Sequence, residues 1–89
     1  MRKHFLVEGD VQGVGFRHFT WRMANRLGLT GWVRNLPYGK VEALADGEPA
    51  RLSQFEAELR RGPGMASVTN LLGTEIPDQS ERFNSFEIR

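Results

Sequence analysis

Apolar residues along this chain change their spacing several times, and each change marks an element. From His4 to Glu8 a short apolar-rich run stops at a glycine cluster and reads as a first strand. Phe16, Phe19, Met23, Ala24 and Leu27 then recur at helical spacing on one face, with Arg22, Asn25 and Arg26 on the other, and Gly28 supplies a left-handed stop. This pattern predicts a helix from Phe16 to Leu27. Gly31 to Leu36 and Lys40 to Ala45 flank Pro37-Tyr38-Gly39 and read as a β-hairpin, with Val41, Ala43 and Ala45 alternating along its second arm. After Asp46-Gly47, Pro49 suits a helix start, Leu52, Phe55 and Leu59 form one apolar face, and Gly62-Pro63-Gly64 breaks the pattern. Ala66 to Glu75 and Phe83 to Ile88 read as further strands, joined by a polar connector from Pro77 to Arg82.

The resulting order, β-α-β-β-α-β, is that of the ferredoxin-like split arrangement, an α+β fold with two helices on one face of a four-stranded antiparallel sheet. No repeat, low-complexity tract or long linker divides the chain, so residues 1–89 are expected to form a single domain. In this fold the first loop and the second strand are near neighbours, which brings Asn35 towards the loop ahead of Arg17.

That loop, Gly9-Asp10-Val11-Gln12-Gly13-Val14-Gly15-Phe16-Arg17, sets three glycines between a strand and a helix and ends in an arginine. Glycines let main-chain N–H groups approach a ligand, and a helix start leaves N–H groups unpaired beside a partial positive charge. With a guanidinium added, phosphate is the expected guest. The loop lacks the lysine followed by Ser or Thr of a Walker-type motif, and His18 stands where the dinucleotide motif needs glycine. On its own it also reads as a tight turn followed by a solvated arginine. Asn35 shares a strand face with Val33, and its neutral amide both donates and accepts; it equally suits capping the strand ahead of Leu36-Pro37.

The run Gly9 to Arg17, followed by Gly31-Trp32-Val33-Arg34-Asn35, resembles the acylphosphatase family, in which both segments build the active site. Leu27-Gly28-Leu29, Gly39-Lys40-Val41-Glu42 and the closing Phe86-Glu87-Ile88-Arg89 are similar to the family too, so the resemblance covers nearly the whole chain. It implies hydrolysis of acyl phosphates to a carboxylate and inorganic phosphate. Arg17 and the main-chain N–H groups of Gln12, Gly13, Val14, Gly15 and Phe16 would hold the phosphoryl group, and Asn35 would place the attacking water. Val14 and Phe16 are expected to pack their side chains beneath the loop. A leaving carboxylate is already a weak base and needs no general acid, so the lack of an obvious acid–base pair is no objection. No metal and no cofactor are expected. Departures from the family pattern are Tyr38, where an acid is frequent, and Met65-Ala66 after Pro63-Gly64; they bear on turn geometry and stability.

Composition narrows the alternatives. The 89 residues, 39% of them hydrophobic, suffice for one small core. Twelve basic against 11 acidic residues leave a net charge of +1, too little for a field that draws nucleic acid or an anionic membrane. Without cysteine there is no disulfide, thiol nucleophile or thiolate metal site. The basic, then apolar start is cut short by Glu8 and Asp10, well before a signal peptide or membrane span, so the cytoplasm is the default. His4 and His18 have no partners at metal spacing and are assigned to structure or solvent; Trp21, Trp32 and Tyr38 are assigned to core or rim packing. The RNA-recognition fold shares this element order, but its basic-Gly-aromatic third strand has no counterpart in Lys40-Val41-Glu42-Ala43-Leu44-Ala45. A phosphate- or metabolite-binding module without turnover is the other alternative. The expected partner is a small-molecule acyl phosphate, acted on by a monomer.

Overall fold

Alternation along the first strand decides which side of the sheet is covered. The structure, a computed structural model, describes residues 1–77 and 81–89, so Asp78, Gln79 and Ser80 of the expected connector lie outside the described residues. In β1 (Arg2–Asp10), Phe5 and Val7 are fully buried on one side. Antiparallel partners flank it, β3 (Val41–Asp46) and β4 (Ser67–Ile76), and β2 (Thr30–Asn35) pairs antiparallel with β3. Helices α1 (Phe16–Arg26) and α2 (Pro49–Arg61) complete the β-α-β-β-α-β order of the ferredoxin-like α+β fold.

Both helices contribute to one core. Phe16 and Ala24 of α1 and Leu52, Phe55 and Leu59 of α2 pack with Phe5, Val7, Val33, Val41, Ala43, Ala45 and Leu71 from the sheet. Phe55 is the central ring, edge-on to Phe5 at 5.5 Å and to Phe86 at 6.1 Å. Each of the buried Phe, Leu and Val side chains stabilises the fold by about 1.5–3 kcal/mol, an upper value because unfolded chains already bury some apolar surface. The one buried hydroxyl of α1, on Thr20, is satisfied by the Phe16 carbonyl oxygen at 2.9 Å.

The sheet has five strands rather than four and is mixed rather than wholly antiparallel. β5 (Phe86–Ile88) pairs parallel to β2, giving the order β4-β1-β3-β2-β5. It is shorter than the expected Phe83–Ile88, for a topological reason. β4 and β5 occupy opposite edges, so the chain between them must pass the whole sheet before pairing, and Phe83 serves that passage instead of the strand.

The passage is pinned by Arg2, which is only 2% exposed. Lys3 reaches Glu56 on α2, so Arg2 points to the face away from the helices. Its guanidinium pairs with Asp46 at 3.1 Å, donates to the Glu81 carbonyl oxygen at 2.7 Å and lies 4.9 Å from the centre of the Phe83 ring. A buried guanidinium is tolerated because carboxylate, carbonyl and ring face together replace its water.

Further along this face, Glu42 is bracketed by His4, with Nε2 2.7 Å from Oε2, and by Arg34, whose Nε donates to Oε1 at 2.6 Å. Burial raises the Glu42 pKa, but the hydrogen bonds and charges of His4 and Arg34 outweigh it and hold the carboxyl below its ordinary value. A carboxyl depressed in the folded state stabilises fully above its unfolded pKa and loses that contribution as pH falls through the folded one. The gap in melting temperature between wild type and Glu42→Gln should therefore be full at neutral pH and close in the acid range below ordinary glutamate titration. A gap that stays constant from pH 7 to pH 3 would contradict this.

The β2–β3 connection closes with Leu36 N–H donating to the Lys40 carbonyl oxygen at 2.8 Å. Tyr38 (φ 67°) and Gly39 (φ 83°) are both left-handed, as a twisted hairpin turn requires. The tyrosine side chain is 99% exposed and so belongs to neither core nor rim, contrary to the expectation from its aromatic character. A β-carbon at this φ costs roughly 1 kcal/mol, which asparagine tolerates better. Tyr38→Asn should raise the melting temperature by a few degrees; a decrease would show that Tyr38 makes compensating contacts.

Candidate active site

At Gly15 the chain turns from loop to helix through a left-handed residue (φ 79°, ψ 18°), a conformation that Gly13 (φ 75°) shares. A β-carbon at either glycine would meet open space, so these glycines answer a backbone requirement and not a packing one. The first intrahelical bond of α1 runs from Phe19 N–H to the Gly15 carbonyl oxygen at 2.9 Å, and the glycine at the N-cap offers no side-chain cap. Its leading N–H groups therefore remain available, and no acidic residue in the first turn offsets their partial charge.

These groups open on a cavity of about 200 Å³ lined by Val11, Gly13, Gly15, Phe16, Arg17, His18, Asn35 and Ile88. Loop, helix start and the ends of β2 and β5 thus meet in one place. Five of the seven residues singled out in the sequence line it: Gly13, Gly15, Phe16, Arg17 and Asn35. Gln12 and Val14 do not. Val14 is half-buried against the core, and Phe16, 1% exposed, is both core and cavity floor.

Gln12 has a task that its main chain does not reveal. Its Nε2 donates to the Leu36 carbonyl oxygen at 2.7 Å and to that of Lys40 at 2.8 Å. One amide thereby ties the glycine loop to both sides of the hairpin turn that follows Asn35. Arg17 is exposed, and its Nη1 donates to the Arg89 main-chain oxygen at 3.2 Å. Among the described residues no Asp or Glu side chain lies within ion-pair distance of Arg17, and its remaining N–H donors are left for an anion.

His18 and Ile88 also line the cavity, and the sequence assigned neither to it. Ile88 sits two residues after buried Phe86 on the same side of β5, opposite Val33 in register, which only the parallel β2–β5 pairing determines. His4, by contrast, is structural as expected, through Glu42.

Comparison with known proteins bears on what this cavity is for. The family model described as Acylphosphatase matches residues 3–88. This chain belongs to the acylphosphatase family. A family member from Methylococcus capsulatus, named acylphosphatase, is 53% identical over 87 residues, covering 98% of this chain and 94% of that protein. The acylphosphatase of Pasteurella multocida is 44% identical over 89 residues, covering 100% and 98%. Family likeness extends to the backbone: the crystal structure of acylphosphatase from Bacillus subtilis superposes with a TM-score of 0.93 at 35% identity, covering 99% of this chain and 97% of that one.

Proposed function

We propose that this chain hydrolyses acyl phosphates, with Arg17 and the loop N–H groups of Gln12, Gly13, Val14, Gly15 and Phe16 holding the phosphoryl group and Asn35 positioning water. The reading is carried by one observation: an exposed guanidinium, a helix start at a glycine N-cap and a neutral amide line the same cavity in an acylphosphatase-family chain. The water oxygen attacks phosphorus, the bond from phosphorus to the acyl oxygen breaks, and its electron pair leaves on the carboxylate. One water proton passes to a phosphate oxygen and the other stays with the product phosphate or leaves to solvent.

Charge on the transferring group is what the site must stabilise, and a fixed guanidinium with preset N–H dipoles does so without reorganising during the step. The Asn35 amide, accepting from one water hydrogen and staying neutral, aligns the attack opposite the leaving oxygen. We further read the protein as a monomeric single domain of the cytoplasm acting on small molecules, without nucleic acid or membrane partners. The described residues contain no helix long and apolar enough to cross a membrane. A mass by light scattering that grows with concentration would contradict the monomer.

Benzoyl phosphate hydrolysis in metal-chelating buffer tests the reaction. Wild type should turn it over, and Asn35→Ala should lower kcat by about tenfold or more with inorganic phosphate inhibiting as before. Loss of phosphate inhibition at unchanged kcat would make Asn35 a phosphate ligand; no turnover by folded wild type would overturn the hydrolytic reading.

A further inference from the structure

The cavity carries a rim that holding phosphate does not require. His18 lines it from the first turn of α1, and Ile88 lines it from the end of β5. The His18 ring stacks on Trp21, with centroids 5.6 Å apart and planes 22° from parallel. Trp21 remains 36% exposed and Ile88 43% exposed. Folding therefore leaves an imidazole, backed by an indole, and a branched aliphatic side chain facing water at the edge of a polar cradle, an arrangement that fits a ligand with an apolar part.

We propose that this rim is an acyl-group subsite and that the preferred substrates are acyl phosphates of aromatic carboxylic acids, with the ring stacked on His18 and resting against Ile88. The proposal rests on the acyl phosphate reading above. Phosphate bound at the loop and Arg17 fixes one end of the substrate, and the acyl end must then leave the cradle along its lining. An aromatic ring one carbonyl away from the bridging oxygen comes within reach of a residue adjoining Arg17, whereas an acetyl group ends short of it. Stacking on Trp21 holds the imidazole flat before substrate arrives, so little rotamer freedom is lost on binding. The rim needs no proton transfer, because the departing carboxylate takes none. His18 thus acts as a surface, and any flat ring at its position should serve.

The test is the ratio of kcat/KM for benzoyl phosphate to that for acetyl phosphate, measured for wild type, His18→Ala, His18→Phe and Ile88→Ala. Comparing ratios between variants cancels the intrinsic reactivity of the two compounds. The ratio should fall about three- to tenfold in His18→Ala and stay within about twofold of wild type in His18→Phe, as expected for one aromatic contact. Ile88→Ala should lower it in the same direction. Because His18 and Ile88 are exposed, the variants should fold, which circular dichroism checks. A ratio unmoved in both His18→Ala and Ile88→Ala overturns the subsite while leaving hydrolysis intact. Equal loss on both substrates in His18→Ala, not restored by His18→Phe, also overturns it, since the imidazole would then serve the phosphoryl group. Folded wild type that hydrolyses neither compound overturns the acyl phosphate reading and the rim with it.

Discussion

Arg17→Lys should yield a folded protein that hydrolyses acyl phosphates about 10²- to 10³-fold more slowly than wild type, the usual scale for losing a preset transition-state donor. Net charge is unchanged, so long-range attraction of the anion survives. What the substitution removes is the planar pair of N–H donors proposed to span two phosphoryl oxygens, together with the remaining N–H that keeps the Arg89 main-chain oxygen at 3.2 Å. A lysine ammonium is a single point, and satisfying the Arg89 oxygen takes it away from the substrate. Since Arg17 is exposed and pairs with no described Asp or Glu side chain, the melting temperature should move little. The loss should fall on kcat as well as KM. Near wild-type turnover in Arg17→Lys would remove this residue from the phosphate site.

Gly31→Ala should have the largest effect on stability, about 3 kcal/mol or more, a large part of the 5–15 kcal/mol that holds a typical domain together. A β-carbon there would stand 1.9 Å from the Leu44 carbonyl oxygen and 2.9 Å from its carbon, at a φ of +140° that side chains rarely adopt. Backbone, not a side-chain tip, is in the way, so relief requires β2 to separate from β3. The Gly31 N–H also donates to the Ser85 carbonyl oxygen at 3.0 Å, so the same shift loosens the entry to β5. Urea unfolding of the two proteins decides the matter: a difference under about 1 kcal/mol would mean that the sheet absorbs a methyl group between β2 and β3.

The elements that announced themselves in the sequence are those whose signals are local. Both helices carry apolar spacing between clear stops, and the glycine loop and Arg17 are contiguous, so phosphate chemistry could be read without knowing where the chain goes next. Asn35 required only the topology. Arg2 was hidden because a basic residue near the N-terminus reads as solvated until Asp46, Glu81 and Phe83 are brought to it from far along the chain. Phe83 was misassigned to the last strand for the same reason: an aromatic that packs on the far face of a sheet and one that enters a strand look alike locally. Gln12 and Ile88 depend on register between segments 24 or more residues apart, which no periodicity encodes.

Three residues of β5 hold one wall of the cavity, joined to the sheet by a single parallel pairing with β2 and to the core by Phe86 against Phe55. The other four strands form an antiparallel sheet without it. Release of this edge would free Ile88 and the Arg89 oxygen that steadies Arg17, yet need not undo the pairings of β1, β3 and β4. Such an opening exposes Phe86 but leaves the rest of the core packed, so it should cost less than denaturation, and a ligand held in the cavity should oppose it. Under gentle warming, turnover should therefore fail at the sheet's margin before the bulk of the molecule unfolds.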